Sequence, residues 1–221
     1  MTSKQVLGLF IMGCIVMVMA GGCSKENAVM KSEEKSLARQ LNFDEKALQM
    51  LKDETGGTIQ QLTAYSEDGS ITTTEGISVG VPQDKAESVI TKLRPEMRTM
   101  GYIIFLREMN FGGSPDMIGV IKGTDKYEVL RLMQTNGANY DLSTEDVIAK
   151  LKEWEARYPF ELFGADFDWV EVDLKEVPSD IEAFAHEVHE FCPDVVEQGT
   201  ETVEALADEI SRRKKIYLWW D

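Results

Sequence analysis

Short apolar runs recur through the middle of the chain, with turn-forming residues between them. Runs of this length that are rich in β-branched and aromatic residues predict β-strands. The turn-rich Glu67-Asp68-Gly69-Ser70 separates the first two runs. Four strands are therefore predicted, at residues 59–65, 77–81, 102–106 and 117–121.

Apolar residues at helical spacing lie between these strands. Pro82 opens one helix, whose apolar positions from Ala86 to Leu93 fall on one face. Pro95 has no backbone N–H to donate, so it predicts a break in this helix near Arg94. Two further helices are predicted, at residues 43–51 and 125–134.

Helices in the last third of the chain have recognisable first turns. Ser143 and Asp146 have the spacing of a capping box, and so do Ser179 and Glu182. Another helix follows Gly199 and ends in four consecutive basic residues, which are favourable at the negative end of a helix.

Extended segments flank these helices. Residues 160–174 alternate between apolar and polar side chains, and the alternation slips by one residue at Trp169-Val170. Such a slip predicts a β-bulge at that point. The chain ends in an apolar strand at residues 216–220, which we expect to be integral to the sheet.

Helices interspersed with strands predict an α+β, or mixed α/β, fold. Residues 24–40 are polar and charged, and they predict a tether before the folded region. The predicted organisation is a signal peptide (1–22), a polar tether (23–42), an N-terminal α+β portion (43–140) and a C-terminal α+β portion (141–221).

The N-terminus has the plan of a secretory signal. Lys4 precedes an almost wholly apolar segment at residues 6–20, which is shorter than the roughly 18–20 residues that span a bilayer as a helix. Ala20-Gly21-Gly22 then leads to Cys23, and this arrangement resembles the lipobox of bacterial lipoproteins. We expect Cys23 to carry the lipid; the alternatives are an uncleaved anchor and a plain signal peptide.

Charge and cysteine content are consistent with an exported domain. The formal net charge of −16 argues against nucleic acid as a partner and against charge-driven binding to anionic lipid. Loss of residues 1–22 would remove Cys14 and leave Cys192 without an intramolecular partner if Cys23 is acylated. The sequence therefore predicts no disulfide framework, and a fold that depends on its core.

The two histidines and Cys192 are the first candidates for a metal or catalytic site. His186, His189 and Cys192 spread over a wide arc of one helix, so they would not converge on one ion. A Cys–His nucleophile pair lacks an identifiable third group. We expect a buried structural cysteine, two surface histidines, no metal site and no cofactor.

Pairs of acidic residues are the second candidates. Asp166/Asp168, Glu171/Asp173 and Asp194/Glu197 could serve glycoside hydrolysis or hold calcium, but chance pairs are expected in so acidic a chain. Phosphate-loop, nucleophile-elbow and calcium-loop motifs are absent from the sequence.

The C-terminal Trp219-Trp220-Asp221 is the most unusual feature. Adjacent residues of a strand point to opposite faces of the sheet, so one indole is expected in the core and the other at the surface or in a groove. The possible binding residues are Trp169, Asp194, Trp220 and Asp221.

Four segments together carry a resemblance to a known family. They are Lys-Gly-Thr-Asp-Lys-Tyr-Glu (122–128), Thr-Asn-Gly-Ala-Asn-Tyr-Asp (135–141), Phe-Cys-Pro-Asp (191–194) and Leu-Trp-Trp-Asp (218–221). With these segments the chain resembles the bacterial family called domain of unknown function 4253, from about Gly69 to the end and most strongly after Gly123. The resemblance implies no activity, cofactor or catalytic residue.

Two classes of function remain open from the sequence. The favoured one is a non-catalytic binding or interaction module, held by lipid on the bacterial cell membrane or outer membrane with its domain outside the cytoplasm. The alternative is a hydrolase-like enzyme that uses carboxylates near the C-terminal motifs. The partner is not identified by the sequence.

Overall fold

The computed structural model describes residues 28–66, 69–110 and 113–221, and these form one seven-stranded sheet with helices on both faces. The predicted α+β class is confirmed. The strands are Ile59–Tyr65 (β1), Ile71–Val81 (β2), Tyr102–Glu108 (β3), Asp116–Lys122 (β4), Phe160–Ala165 (β5), Trp169–Leu174 (β6) and Lys215–Trp219 (β7).

Helices lie before, between and after the strand pairs. They are Ser32–Gln40 (α1), Glu45–Thr55 (α2), Ala86–Thr99 (α3), Tyr127–Met133 (α4), Thr144–Arg157 (α5), Ile181–Phe191 (α6) and Val203–Arg213 (α7). Between α6 and α7 the chain forms a π-helix at Val195–Thr200. A short 3₁₀ turn at Ala138–Tyr140 precedes α5.

The strand order is β1-β2-β4-β3-β5-β6-β7. Neighbouring strands are antiparallel except β3 and β5, which run parallel and pair at Leu106 and Gly164. One sheet therefore runs through both of the portions that the sequence suggested. The predicted C-terminal strand is confirmed as part of the sheet, with β7 at its edge beside β6.

Each face of the sheet has its own apolar core. Helices α1 to α3 pack on one face, which we call the front, around residues such as Leu48, Ile90 and Ile104. Helices α4 to α7 pack on the other, the back, around residues such as Trp154 and Phe184. The sheet is covered on both faces, which agrees with the near-continuous apolar runs of several strands.

The predicted polar tether is wrong over most of its length. Residues 32–40 form α1, and Met30 and Ala38 are buried in the front core. Glu34, also buried, accepts hydrogen bonds from Lys52 Nζ at 2.7 Å and from the amide of Ile59 at 2.9 Å. The charge of Glu34 predicts solvent exposure when only neighbouring residues are considered, but its partners lie 18 and 25 residues further along the chain.

Two local predictions in the middle of the chain also need correction. Helix α3 continues through Pro95 to Thr99, because Leu93 and Met97 on either side of the proline are buried against the sheet. Residues 160–174 are two strands of a hairpin, so the slip at Trp169-Val170 follows the turn between them. The bulge lies instead between Leu162 and Gly164.

The predicted start of α5 is confirmed, and the predicted cap of α6 is wrong by one residue. Ser143 and Asp146 form the predicted capping box of α5. Helix α6 is capped by Asp180, whose side chain accepts from the amide of Ala183, and not by Ser179. Within the ranges that the structure describes, no helix has the length and apolar composition needed to span a bilayer.

Candidate functional site

The carboxyl ends of β3, β5 and β7 lie on the same side of the sheet, because these three strands run in one direction. Trp219 and Trp220 follow β7 there, and Asp168 follows β5. The amide of Trp220 donates to the carbonyl of Asp168 at 3.0 Å, which joins the C-terminus to the β5–β6 turn. Open sheets often present their ligand sites at the carboxyl ends of their strands.

Asp194 is the centre of this region. It is 3% exposed and accepts three hydrogen bonds. Oδ1 accepts from the hydroxyl of Tyr140 at 2.7 Å and from Nε2 of Gln198 at 2.8 Å, while Oδ2 accepts from the amide of Asp221 at 2.9 Å. The carboxylate therefore ties together the 3₁₀ turn, the π-helix and the end of the chain.

These bonds favour the ionised form of Asp194. Burial alone would raise the pKa of its carboxyl, but the hydrogen bonds from Asp221, Tyr140 and Gln198 outweigh burial and lower that pKa. The same carboxylate raises the pKa of Tyr140 to about 12, since the phenol donates to it. Tyr140 thus remains a neutral donor at physiological pH.

Cys192 fixes the edge strand at a second point. Its thiol is fully buried and donates to the carbonyl of Trp219 at 2.9 Å. Burial raises the pKa of the thiol to about 12, so it is a weak nucleophile at neutral pH. The predicted burial of Cys192 is confirmed, and its role in the structure is to hold β7 against the end of α6.

The two C-terminal indoles point to opposite faces, as predicted. Trp220 is 4% exposed in the back core, 6.0 Å from the ring of Phe191. The backbone of Gly137 approaches this indole so closely that a Cβ at this position would be 2.8 Å from Cδ1 of Trp220. Trp220 is therefore a core residue in the structure, and no described residue forms a hydrogen bond with its buried indole nitrogen.

Trp219 instead belongs to an aromatic row on the front face, and its half-buried ring also packs against the back core. Its ring lies 5.3 Å from that of Tyr217, which lies 5.7 Å from that of Trp169. Trp169 is 8% exposed, whereas Tyr217 and Trp219 are half-buried. Of this row, Tyr217 and Trp219 are the rings that solvent reaches.

A groove of about 270 Å³ lies beside these two rings, between β7, α7 and the π-helix. We call it the edge groove. Its apolar lining comes from Val195, Leu206, Ile210, Tyr217 and Trp219. Its polar lining comes from Thr200, Glu209, Arg213 and Lys215, with Gly199 at one end.

A separate polar cluster lies where β3 and β5 end. Asp166 Oδ2 is 3.7 Å from Nη1 of Arg107, and the same guanidinium is paired with Glu108. Asp166 Oδ1 and Arg107 Nε are both buried, and neither has a hydrogen-bond partner among the described residues. Burial raises the pKa of Asp166 to about 6, and Arg107 offsets this only in part.

The candidate metal residues do not form a site. His186 is exposed and His189 half-buried on α6, while Cys192 is bonded to β7. In the part of the chain that the structure describes, no three His, Cys, Asp or Glu side chains are grouped so that they could hold a metal ion.

The segment at 122–128 follows β4 and lies at the opposite end of the strands, because β4 is antiparallel to β3. Lys126 Nζ donates to the carbonyl of Phe160 at 2.7 Å, and the hydroxyl of Tyr127 donates to Glu155 at 2.7 Å. These bonds join α4 to α5 and β5. This segment therefore supports the fold and contributes nothing to the edge groove.

Among the four predicted binding residues, Asp194 and Asp221 are joined directly, Trp220 packs beneath them, and Trp169 lies on the front face. Sequence reasoning missed Tyr140 and Gln198 as partners of Asp194. Tyr140 lies in the 135–141 segment that carries the family resemblance, whereas nothing in the sequence distinguishes Gln198.

Residues 117–221 match the family model described as Domain of unknown function (DUF4253). The matched part of the chain, from β4 to the C-terminus, is similar to that family, and the match begins well after Gly69, where the resemblance was expected to start. The comparison with curated proteins gave no match, and neither did the comparison with solved structures.

Proposed function

We propose that the chain is a bacterial lipoprotein, anchored through Cys23, whose extracytoplasmic domain binds a partner and is not an enzyme. The observation that supports a binding function is the set of three hydrogen bonds that Asp194 accepts from protein donors. Both oxygens of this carboxylate are occupied by protein donors, so it holds the edge strand in place instead of facing a substrate. What the arrangement presents to solvent is the edge groove.

Anchoring would keep the domain close to the membrane. In the part of the chain that the structure describes, Met30 is the first buried residue, seven positions after Cys23. Seven residues span at most about 25 Å when fully extended. Two or three acyl chains on Cys23 would give stable attachment, which a single chain does not.

Substitution of the proposed lipid site tests the anchor. In Cys23→Ser we expect the protein to leave the membrane fraction and to lose palmitate labelling, because no acceptor for the acyl chains remains. Fractionation and metabolic labelling measure this. Cys14→Ser is the matched control, since Cys14 lies within the proposed leader, and it should behave like the native chain. Unchanged labelling of Cys23→Ser would refute the anchor.

One observation favours the hydrolase alternative. Asp166 is largely buried beside Arg107 with a pKa of about 6, which suits a general acid or base near neutral pH. The nearest acidic neighbours are Asp168, which is exposed, and Glu108, which is already paired with Arg107. A hydrolytic activity that Asp166→Asn abolishes without loss of stability would favour this alternative.

A further inference from the structure

β7 is the edge strand, and its hydrogen-bonding groups alternate between the sheet and the outside. The amide of Trp220 donates to Asp168, and the carbonyl of Lys214 accepts from Leu174. Even-numbered residues of this segment therefore face β6. Lys215, Tyr217 and Trp219 turn their backbone N–H and C=O groups outward.

Described residues cover the outward side of β7 at its carboxyl end, near Trp219. The carbonyl of Trp219 accepts from Cys192, and Gly199 lies so close that a Cβ there would be 2.5 Å from Cη2 of Trp219. At Tyr217, by contrast, no described residue forms a backbone hydrogen bond on the outward side. An unpaired edge of this kind is a template for one further strand.

The size of the edge groove limits what can occupy it. At about 270 Å³ it is slightly smaller than the roughly 300–1,000 Å³ of typical small-molecule sites. It can take one or two side chains of a segment that lies along β7. The half-buried rings of Tyr217 and Trp219 would contact an apolar side chain there, since Leu206 and Ile210 beneath them are buried.

Charge at the open end of the groove is opposite to that of the whole protein. Arg212, Arg213 and Lys214 are exposed where α7 passes into β7, in a chain of net charge −16. Arg213 lines the groove and is bonded to Glu209 at 2.7 Å on the surface. Lys215 is paired with Glu171, whereas Arg212 and Lys214 form no ion pair with any described residue. The basic cluster therefore retains positive charge that is complementary to an acidic group.

We propose that the edge groove binds an extended peptide segment of a partner protein by strand addition to β7. The segment pairs with the backbone of Tyr217, places an apolar side chain against the rings of Tyr217 and Trp219, and places an acidic residue or a terminal carboxylate beside Arg213. We assign it the antiparallel direction, which gives the slightly stronger ladder and brings its carboxyl end to the basic residues. This inference rests on the proposed binding function and names its partner class.

The position of β7 suits this role in an anchored protein. Helix α1, the first of the described elements, contacts β1, and β7 lies at the other edge of the seven-stranded sheet. Six strand spacings of about 4.8 Å separate the two edges by roughly 29 Å. The groove is thus remote from the side of the fold to which the proposed lipid is attached.

Selection from a library of random 12-residue peptides tests the proposal, with the full-length chain in detergent micelles as the target. We expect enrichment of peptides that combine alternating apolar residues with an acidic residue near the carboxyl end. Tyr217→Pro removes the outward N–H at a position where an edge strand tolerates proline, and it should weaken the selected peptides at least tenfold. Arg213→Glu should weaken them about fivefold or more.

Lys46→Glu is the matched control, because it makes the same charge change on α2 and should leave affinity unchanged. Melting curves establish whether each variant is folded. If Tyr217→Pro does not fold, Arg213→Glu still tests the groove, because Arg213 is exposed and its substitution should leave the fold intact. Peptides that bind the native chain and both groove variants equally would overturn the groove assignment and leave the binding function standing. Absence of any enrichment, or a dimer closed through β7, would overturn the proposal. None of these outcomes depends on acylation of Cys23.

Discussion

A chain that lacks Leu218–Asp221 is expected not to fold. The deletion removes Leu218 and Trp220 from the back core and Trp219 from the front face. A buried Trp that is cut back to Ala costs about 3–5 kcal/mol and a buried Leu about 2–5 kcal/mol. Together these losses approach the whole stability of a domain, roughly 5–15 kcal/mol. Circular dichroism and thermal melting of the truncated chain measure the effect.

Asp221→Ala is the control for this truncation. The side chain of Asp221 is exposed, and Asp194 is bonded to the backbone amide, which alanine retains. This variant should therefore melt close to the native chain. If the truncated chain itself melts cooperatively within a few degrees of the native one, β7 is peripheral and the account of the C-terminus is wrong.

Substitution of Asp194 is expected to give the second largest loss. Asp194→Ala leaves the hydroxyl of Tyr140, the amide of Gln198 and the backbone amide of Asp221 without their acceptor. Hydrogen bonds to a charged group are each worth about 1.5–3 kcal/mol, but the freed donors can turn to water. We expect a loss of about 2–4 kcal/mol in the free energy of unfolding, measured by denaturant titration.

The effect of Asp194 should depend on pH. Its pKa is lowered in the folded chain, so the folded state binds this proton less readily than the unfolded state does. Its contribution is then complete above the unfolded pKa of about 3.9 and is lost as the pH falls through the folded value. The difference between the native chain and Asp194→Asn should therefore be constant near neutral pH and shrink below about pH 4.

Glu197 provides the matched control for Asp194. It is an acidic residue on the same π-helix, but its side chain is exposed. Glu197→Ala should change the free energy of unfolding by less than about 0.5 kcal/mol. Equal losses for the two variants would show that Asp194 acts through general charge and not through its three hydrogen bonds.

The sequence predicted those helices and strands whose formation depends on residues close to one another along the chain. β1 was predicted with its observed bounds, and the Ser143 capping box was identified because its partner Asp146 lies three residues away. Helix α1 was missed, since its buried Glu34 is stabilised by Lys52 and Ile59 across the fold. The sheet order was not predicted, because β3 and β5 pair across more than fifty residues.

The same distinction applies to the site. The burial of Cys192 and the opposite directions of Trp219 and Trp220 follow from helix and strand periodicity. The bond from Asp221 to Asp194 joins residues 27 apart, and periodicity within one element says nothing about it. The edge groove also requires knowledge of which strand lies at the edge, and that is a property of the whole sheet.

The central claim is that β7 is an edge strand with an unpaired outer side, held in position by the C-terminal motifs. Amide hydrogen exchange along β7 tests this claim most directly. The amides of Ile216 and Leu218 face β6 and should be protected to near the global free energy of unfolding. The amide of Tyr217 should exchange much faster in the free chain and become protected when a selected peptide is added. Protection of Tyr217 equal to that of Ile216 and Leu218 in the free chain would contradict the account, since the edge would already be covered.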